Sequence, residues 1–186
     1  LAAVVNAISD VVIGERGKKL YIRTFAYSEE EYKSTVGCIK HIKSDKVILM
    51  MKETPHDFFL THPDNSYIRK MNRPTIVEFD SGNEYSGQGV VANTWPEYTM
   101  KRWGSYINCP NVTGYVARTD RYGDTSIVGT ANEIQLYALK RMTEEQTVSP
   151  MQIYNEFITS RYGEDALLPI RKAFQNAYDI VTSVFY

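Results

Sequence analysis

Cysteine is nearly absent from this chain. Its 186 residues hold two, Cys38 and Cys109, far apart and outside any C-x-x-C spacing, which excludes a disulfide-dense scaffold and a thiolate metal cluster. Two buried, unbonded thiols are expected rather than a bridge. Charge of one sign is also missing: 21 Lys and Arg against 22 Asp and Glu leave a net charge of -1, so no basic field exists to hold nucleic acid or an anionic membrane. No apolar run reaches the roughly 20 residues of a membrane-spanning helix, and no charged-then-apolar leader opens the chain. Internal repeats and low-complexity linkers are lacking. No metal or cofactor signature appears, and no cofactor is expected. A bacterial cytoplasm or periplasm is the expected compartment.

What is present is a core-forming composition, with 43% hydrophobic residues. Fourteen Tyr, seven Phe and two Trp mostly serve that core, and they also supply faces on which sugar rings stack. At 186 residues the chain is shorter than the about 250 of a complete eight-stranded α/β barrel. It opens on Leu1-Ala2-Ala3-Val4-Val5, without Met and in mid-helix pattern, so a piece of a longer parent is expected.

Hydrophobic periodicity organises the chain. Val4, Val5, Ile8, Val11 and Val12 predict a helix over 1–13, stopped by Gly14 and Gly17. Leu20 to Phe25 reads as a strand, and Ser28 caps a helix whose first turn holds Glu29, Glu30 and Glu31. Lys46 to Met51 is a continuous apolar run, expected of a strand buried on both faces. Thr75 to Phe79 and Val112 to Ala117 are further strands, with a helix from Trp95 to Tyr106 between them. Beyond Arg118 the pattern turns helical over 131–142, 150–162 and 164–185, with Ser149-Pro150 a start and Gly163 a stop. Asn111-Val112-Thr113 matches a glycosylation sequon, a pattern with many chance occurrences. Strand–helix units in series predict a parallel sheet or barrel.

Ionisable residues gather where the predicted strands end. Arg23 closes the first; Lys52 and Glu53 follow the second, with His56 and Asp57 beyond. Glu78 and Asp80 close the third, with Glu84 and Tyr85 after it, and Arg118, Asp120 and Arg121 follow the fourth. In a parallel barrel these ends share the rim on which active sites are built. Asp57 and Glu84, from neighbouring strands, make a pair of carboxylates suited to acid–base work. Arg23 and Lys52 make an anion clamp, Arg supplying a planar fork and Lys a compact charge. A sugar acid needs both sets. The alternative is an Arg/Lys–Asp/Glu network that ties the barrel mouth together. His56 is a weaker sugar-binding candidate, read first as a solvated loop histidine.

The stretch from Tyr21 to Gly87 resembles the α-glucuronidases of glycoside hydrolase family 67. The motifs are R-x-F-x-Y at Arg23, Phe25 and Tyr27, V-I-L-x-x-K at Val47 to Lys52, and P-x-D-F at Pro55, Asp57 and Phe58. E-F-x-x-x-x-E-Y-x-G-Q follows at Glu78, Phe79, Glu84, Tyr85, Gly87 and Gln88, and a weaker similarity runs through Gly114, Tyr137, Arg141, Ser149 and Tyr162-Gly163. The resemblance implies an α/β fold: the second half of a (β/α)8 TIM barrel, about four βα units over 1–130, then a helical C-terminal region over 131–186. It implies inverting hydrolysis of a uronic-acid-bearing plant or algal oligosaccharide. Asp57 and Glu84 would flank the attacking water, across the gap of roughly 6.5–9.5 Å that inversion requires. Arg23 and Lys52 would hold the uronate carboxylate, with Glu53, Tyr85 and Arg118 around the substrate.

The family's general acid is a glutamate on the strand before the one bearing Arg23, which would lie N-terminal to Leu1. Glu15 sits in a turn at the wrong end of a strand to replace it. The expected partners are therefore a sugar-acid substrate, an N-terminal half-barrel from the same parent or another chain, and a second copy through the C-terminal helices. Departures concern the substrate: the family's Asn after the lysine is Glu53, two glutamines flanking the catalytic Glu are Asp80 and Asn83, and a tryptophan-bearing stretch is replaced by Met142-Thr143-Glu144. A non-catalytic carbohydrate-binding module without the general acid is the alternative function. A self-contained α/β domain whose rim charges are structural is the third.

Overall fold

The computed structural model describes residues 1–120 and 126–186, so Arg121 lies outside the described residues. Four strands, β1 (Leu20–Arg23), β2 (Val47–Lys52), β3 (Thr75–Asp80) and β4 (Val112–Arg118), form one parallel sheet in the order β1-β2-β3-β4. Leu20 pairs with Val47 and Arg23 with Met50; Leu49 pairs with Thr75 and Lys52 with Glu78. Seven α-helices accompany the sheet among the described residues: α1 (Ala2–Ser9), α2 (Glu29–Ile39), α3 (Pro96–Gly104), α4 (Ile134–Glu144), α5 (Pro150–Tyr162), α6 (Leu167–Gln175) and α7 (Ala177–Phe185). None is long and apolar enough to cross a membrane.

The described chain divides into two compact units. The first comprises Leu1–Phe58, His62–Phe79 and Asn108–Val116, and it holds most of the sheet with α1 and α2. Along β2, Val47, Leu49 and Met51 are fully buried, while Ile48 and Met50 are half-buried. The apolar run therefore does not mean equal burial on both faces; one face of β2 packs the core and the other is partly covered. Ser28 accepts the Glu31 N–H at 3.2 Å, and Glu31 in turn accepts the Tyr27 N–H at 2.8 Å, which starts α2 where the sequence places it. The first helix ends early. From Asp10 to Glu15 the backbone widens into a π-helical turn, with the Arg16 N–H bonded to the Val11 carbonyl at 3.0 Å, before Gly17 leaves at φ +60°.

The second unit comprises Phe59–Thr61, Asp80–Ile107 and Ala117–Tyr186. α5 opens on a reciprocal capping box between Ser149 and Gln152 and ends on Gly163 at φ +87°. Ile134, Ala138, Ile153, Tyr154, Phe157 and Phe174 join one core cluster; Leu60, Trp95, Ala177 and Val181 form another. The single helix expected over 164–185 is a 3-10 turn (Glu164–Ala166) followed by α6 and α7, separated at Asn176. The two helices serve different cores, Phe174 packing into the first cluster and Ala177 and Val181 into the second. Cys38 and Cys109 are half-buried rather than buried. The sequon residue Asn111 spends its amide nitrogen on the Ile68 carbonyl at 2.8 Å and on Thr75 Oγ1 at 3.4 Å.

Candidate functional site

Every strand ends on a charged residue: Arg23 on β1, Lys52 on β2, Asp80 on β3 and Arg118 on β4. Of the residues singled out by the sequence, Arg23, Lys52, Glu53 and Asp57 belong to the first unit, and Glu84, Tyr85 and Arg118 to the second.

In the first unit, the Arg23 Nε donates to both oxygens of Glu78, at 3.0 and 2.9 Å, reaching over the end of β2 to the strand beyond. Glu78 is almost fully buried, so the pair fixes the guanidinium from its inner side. The terminal nitrogens of Arg23 make no hydrogen bond among the described residues, and the side chain is 35% exposed. Lys52 is enclosed, at 4% exposure: its Nζ donates to Asp57 Oδ1 at 2.5 Å and lies 4.0 Å from the Phe25 ring centroid and 4.7 Å from that of Phe58. Burial lowers the proton affinity of Lys52; the hydrogen bond and charge of Asp57 oppose that, and Arg23 adds to the lowering. Phe25, expected inside the first strand, turns out of it and becomes a wall of this box. The Asp57 backbone carbonyl accepts from Thr54 Oγ1 at 3.1 Å and meets His62 Nδ1 at 3.0 Å, which pins the loop.

Glu53 continues the ladder beyond β2. Its N–H donates to the Glu78 carbonyl at 3.0 Å, its carbonyl accepts from the Asn65 N–H at 2.8 Å, and its side chain is buried. His56 is half-buried, not solvated; its Nδ1 is shielded from solvent and has no hydrogen-bond partner among the described residues.

In the second unit Glu84 rides on a turn after β3. Its Oε2 accepts from Arg118 Nη1 at 2.9 Å, while Arg118 grips Asp120 through Nε and Nη2 at 2.7 and 3.1 Å. These hydrogen bonds, with Asp120 first, hold Arg118 more firmly protonated than usual. Asp80 starts the turn, and its Oδ2 accepts the Glu84 N–H at 2.7 Å. Burial pushes the Asp80 carboxyl up to about 6, against the Glu84 N–H and Arg118, which pull it down; Glu84 and Asp120 add to the rise. A buried polar set supports the turn: Gln135 donates to Asn83 Oδ1 at 3.1 Å and to the Asn93 carbonyl at 2.6 Å, and Asn132 accepts the Asn93 N–H at 2.6 Å. Tyr85 lies tilted on Phe59 with centroids 4.1 Å apart, and its carbonyl accepts from the Tyr186 hydroxyl at 3.2 Å.

Each candidate carboxylate, Asp57 and Glu84, is thus held by a cation of its own unit. Glu78 and Asp80 stood in the strand-end cluster read from the sequence but without a role in the site, and the Phe25–Phe58 box was not anticipated. Glu78 and Asp80 left a signal: residues two apart on a strand share a face, and both stand at the end of β3. Among the described residues no three His, Cys, Asp or Glu side chains come together as a metal site. Compared with known protein families and with curated proteins, the chain matches none.

Proposed function

We propose that this chain carries the anion clamp and the carboxylate side of a glycoside hydrolase site, acting with inversion on a uronic-acid-bearing oligosaccharide in the manner of the family 67 α-glucuronidases. The observation that carries it is the state of Arg23. Glu78 holds its Nε, so the guanidinium is oriented before any ligand arrives, and its outer nitrogens face a half-open surface. That is the arrangement a planar carboxylate needs for a two-point contact. Lys52 adds positive charge from within its aromatic box. In this reading the four strands are the second half of a (β/α)8 barrel. Asp57 in the first unit and Glu84 in the second are the carboxylates assigned to the hydrolysis, Glu53, Tyr85 and Arg118 are assigned to substrate binding, and the general acid comes from outside the chain.

The ion pairs Lys52–Asp57 and Arg118–Glu84 favour a second reading, a carbohydrate-binding module without turnover, because each candidate carboxylate already spends an oxygen on a cation of its own unit. One experiment separates the two. Titration calorimetry with glucuronate and with glucose is run on the wild type and on Arg23→Ala, alongside release of glucuronate from a glucuronic-acid-bearing xylo-oligosaccharide by the wild type and Glu84→Gln, each tested in the complete enzyme that includes the half-barrel supplying the general acid. The expected result is a loss of tenfold or more, about 1.4 kcal/mol, for glucuronate alone in Arg23→Ala. Glu84→Gln is expected to bind and not turn over. Equal losses for both sugars remove the clamp; binding without release by the wild type leaves the module.

A further inference from the structure

One carboxylate opens the turn that carries Glu84. Asp80 is the last residue of β3, and its Oδ2 takes the Glu84 N–H at 2.7 Å, closing the turn across four residues. Its other oxygen, Oδ1, is shielded from solvent and has no hydrogen-bond partner among the described residues. A buried oxygen without a donor tolerates a neutral carboxyl far better than a charged one. Around Asp80 the described charged groups are Glu84 on its own turn, with Arg118 and Asp120 at and just beyond the end of β4. Arg118 already serves both Glu84, at 2.9 Å, and Asp120, at 2.7 and 3.1 Å.

We propose that Asp80 is a positioning residue for Glu84: through Oδ2 it fixes the Glu84 backbone, and by its charge state it sets whether a further negative charge competes with Glu84 for Arg118. With Asp80 neutral, Arg118 keeps its pairing with Glu84 and Asp120 undisturbed. With Asp80 ionised, its charge draws on the same guanidinium and repels Glu84. Burial places that change at about pH 6, inside the range in which an enzyme works. The kinetic consequence rests on reading Glu84 as the base of the proposed hydrolase; the ionisation itself does not.

The test follows the Glu84 amide proton by NMR in the full chain between about pH 3 and 8, because that N–H donates to Asp80 and reports its charge. One step centred near pH 6 is expected in the wild type, and no step in Asp80→Asn, which keeps an oxygen for the Glu84 N–H but cannot ionise. In the hydrolysis assay the same substitution should remove a step near that pH from the kcat profile while KM for the sugar holds. A Glu84 amide that titrates only near the ordinary aspartate value of 3.8, or a step that survives in Asp80→Asn, overturns the proposal. Should Asp80→Asn fail to fold, the wild-type titration decides by itself. An NMR step near pH 6, with no hydrolysis of a glucuronide even when the half-barrel supplying the general acid is present, sinks the hydrolase reading and leaves the role of Asp80 standing.

Discussion

Lys52 is a full positive charge kept almost entirely out of water. Coulomb attraction to Asp57 and the faces of Phe25 and Phe58 offset the desolvation, and neither partner set is dispensable. Lys52→Met should therefore destabilise the chain by about 3 kcal/mol, because Asp57 loses the cation beside it although the new side chain still fills the box. Adding Asp57→Asn should recover most of that loss, since the remaining charge is then gone. Urea denaturation of the three variants checks both statements; a single-mutant loss under about 1 kcal/mol would show the pair to be ornamental. The partners lie five residues apart in adjacent motifs, but the sequence reading set Lys52 with Arg23 and Asp57 with Glu84 rather than with each other. Their coupling to aromatic rings was not legible, because Phe25 reaches Lys52 only after leaving its strand.

At the scale of elements, helix starts were easiest to read. Ser28 and Ser149 cap α2 and α5 as their spacing implies, since a cap needs only atoms within one turn. The split between α6 and α7 was invisible because it follows from which core each helix serves. The turn after β3 also makes a conformational requirement. Gly87 sits at φ +92°, and a Cβ there would lie 2.7 Å from Val91 Cγ2 and 2.9 Å from Val91 Cβ. Gly87→Ala meets both a left-handed backbone cost and a clash, together about 2 kcal/mol or more. Val91→Ala in the same chain should remove the Cγ2 contact and leave both the 2.9 Å approach to Cβ and the backbone cost, so the double mutant should regain only part of the stability. If denaturant unfolding shows full recovery, the φ value carries no cost.

For the whole molecule, Asp80 links stability to pH. Its carboxyl in the folded chain is raised from an ordinary 3.8 to about 6 by burial, so the stabilising contribution is complete below the lower value and is lost as pH rises through the upper one. The loss reaches up to about 3 kcal/mol by neutral pH, at about 1.36 kcal/mol for each pH unit. Unfolding followed from pH 4 to pH 8 should accordingly show Asp80→Asn gaining on the wild type as pH rises, with the gap opening between about 4 and 6. A gap independent of pH would mean that Asp80 titrates normally. The sequence by itself determined the α/β class, the serial strand–helix order and the gathering of charge at strand ends, because periodicity, caps and strand length are short-range properties of the chain. Only the tertiary structure decided that Arg23 is clasped by Glu78 across 55 residues, that Lys52 is boxed and that Asp80 resists ionisation. Pairing across strands depends on register, and proton affinity depends on how much water is removed, and neither quantity exists until the chain has folded.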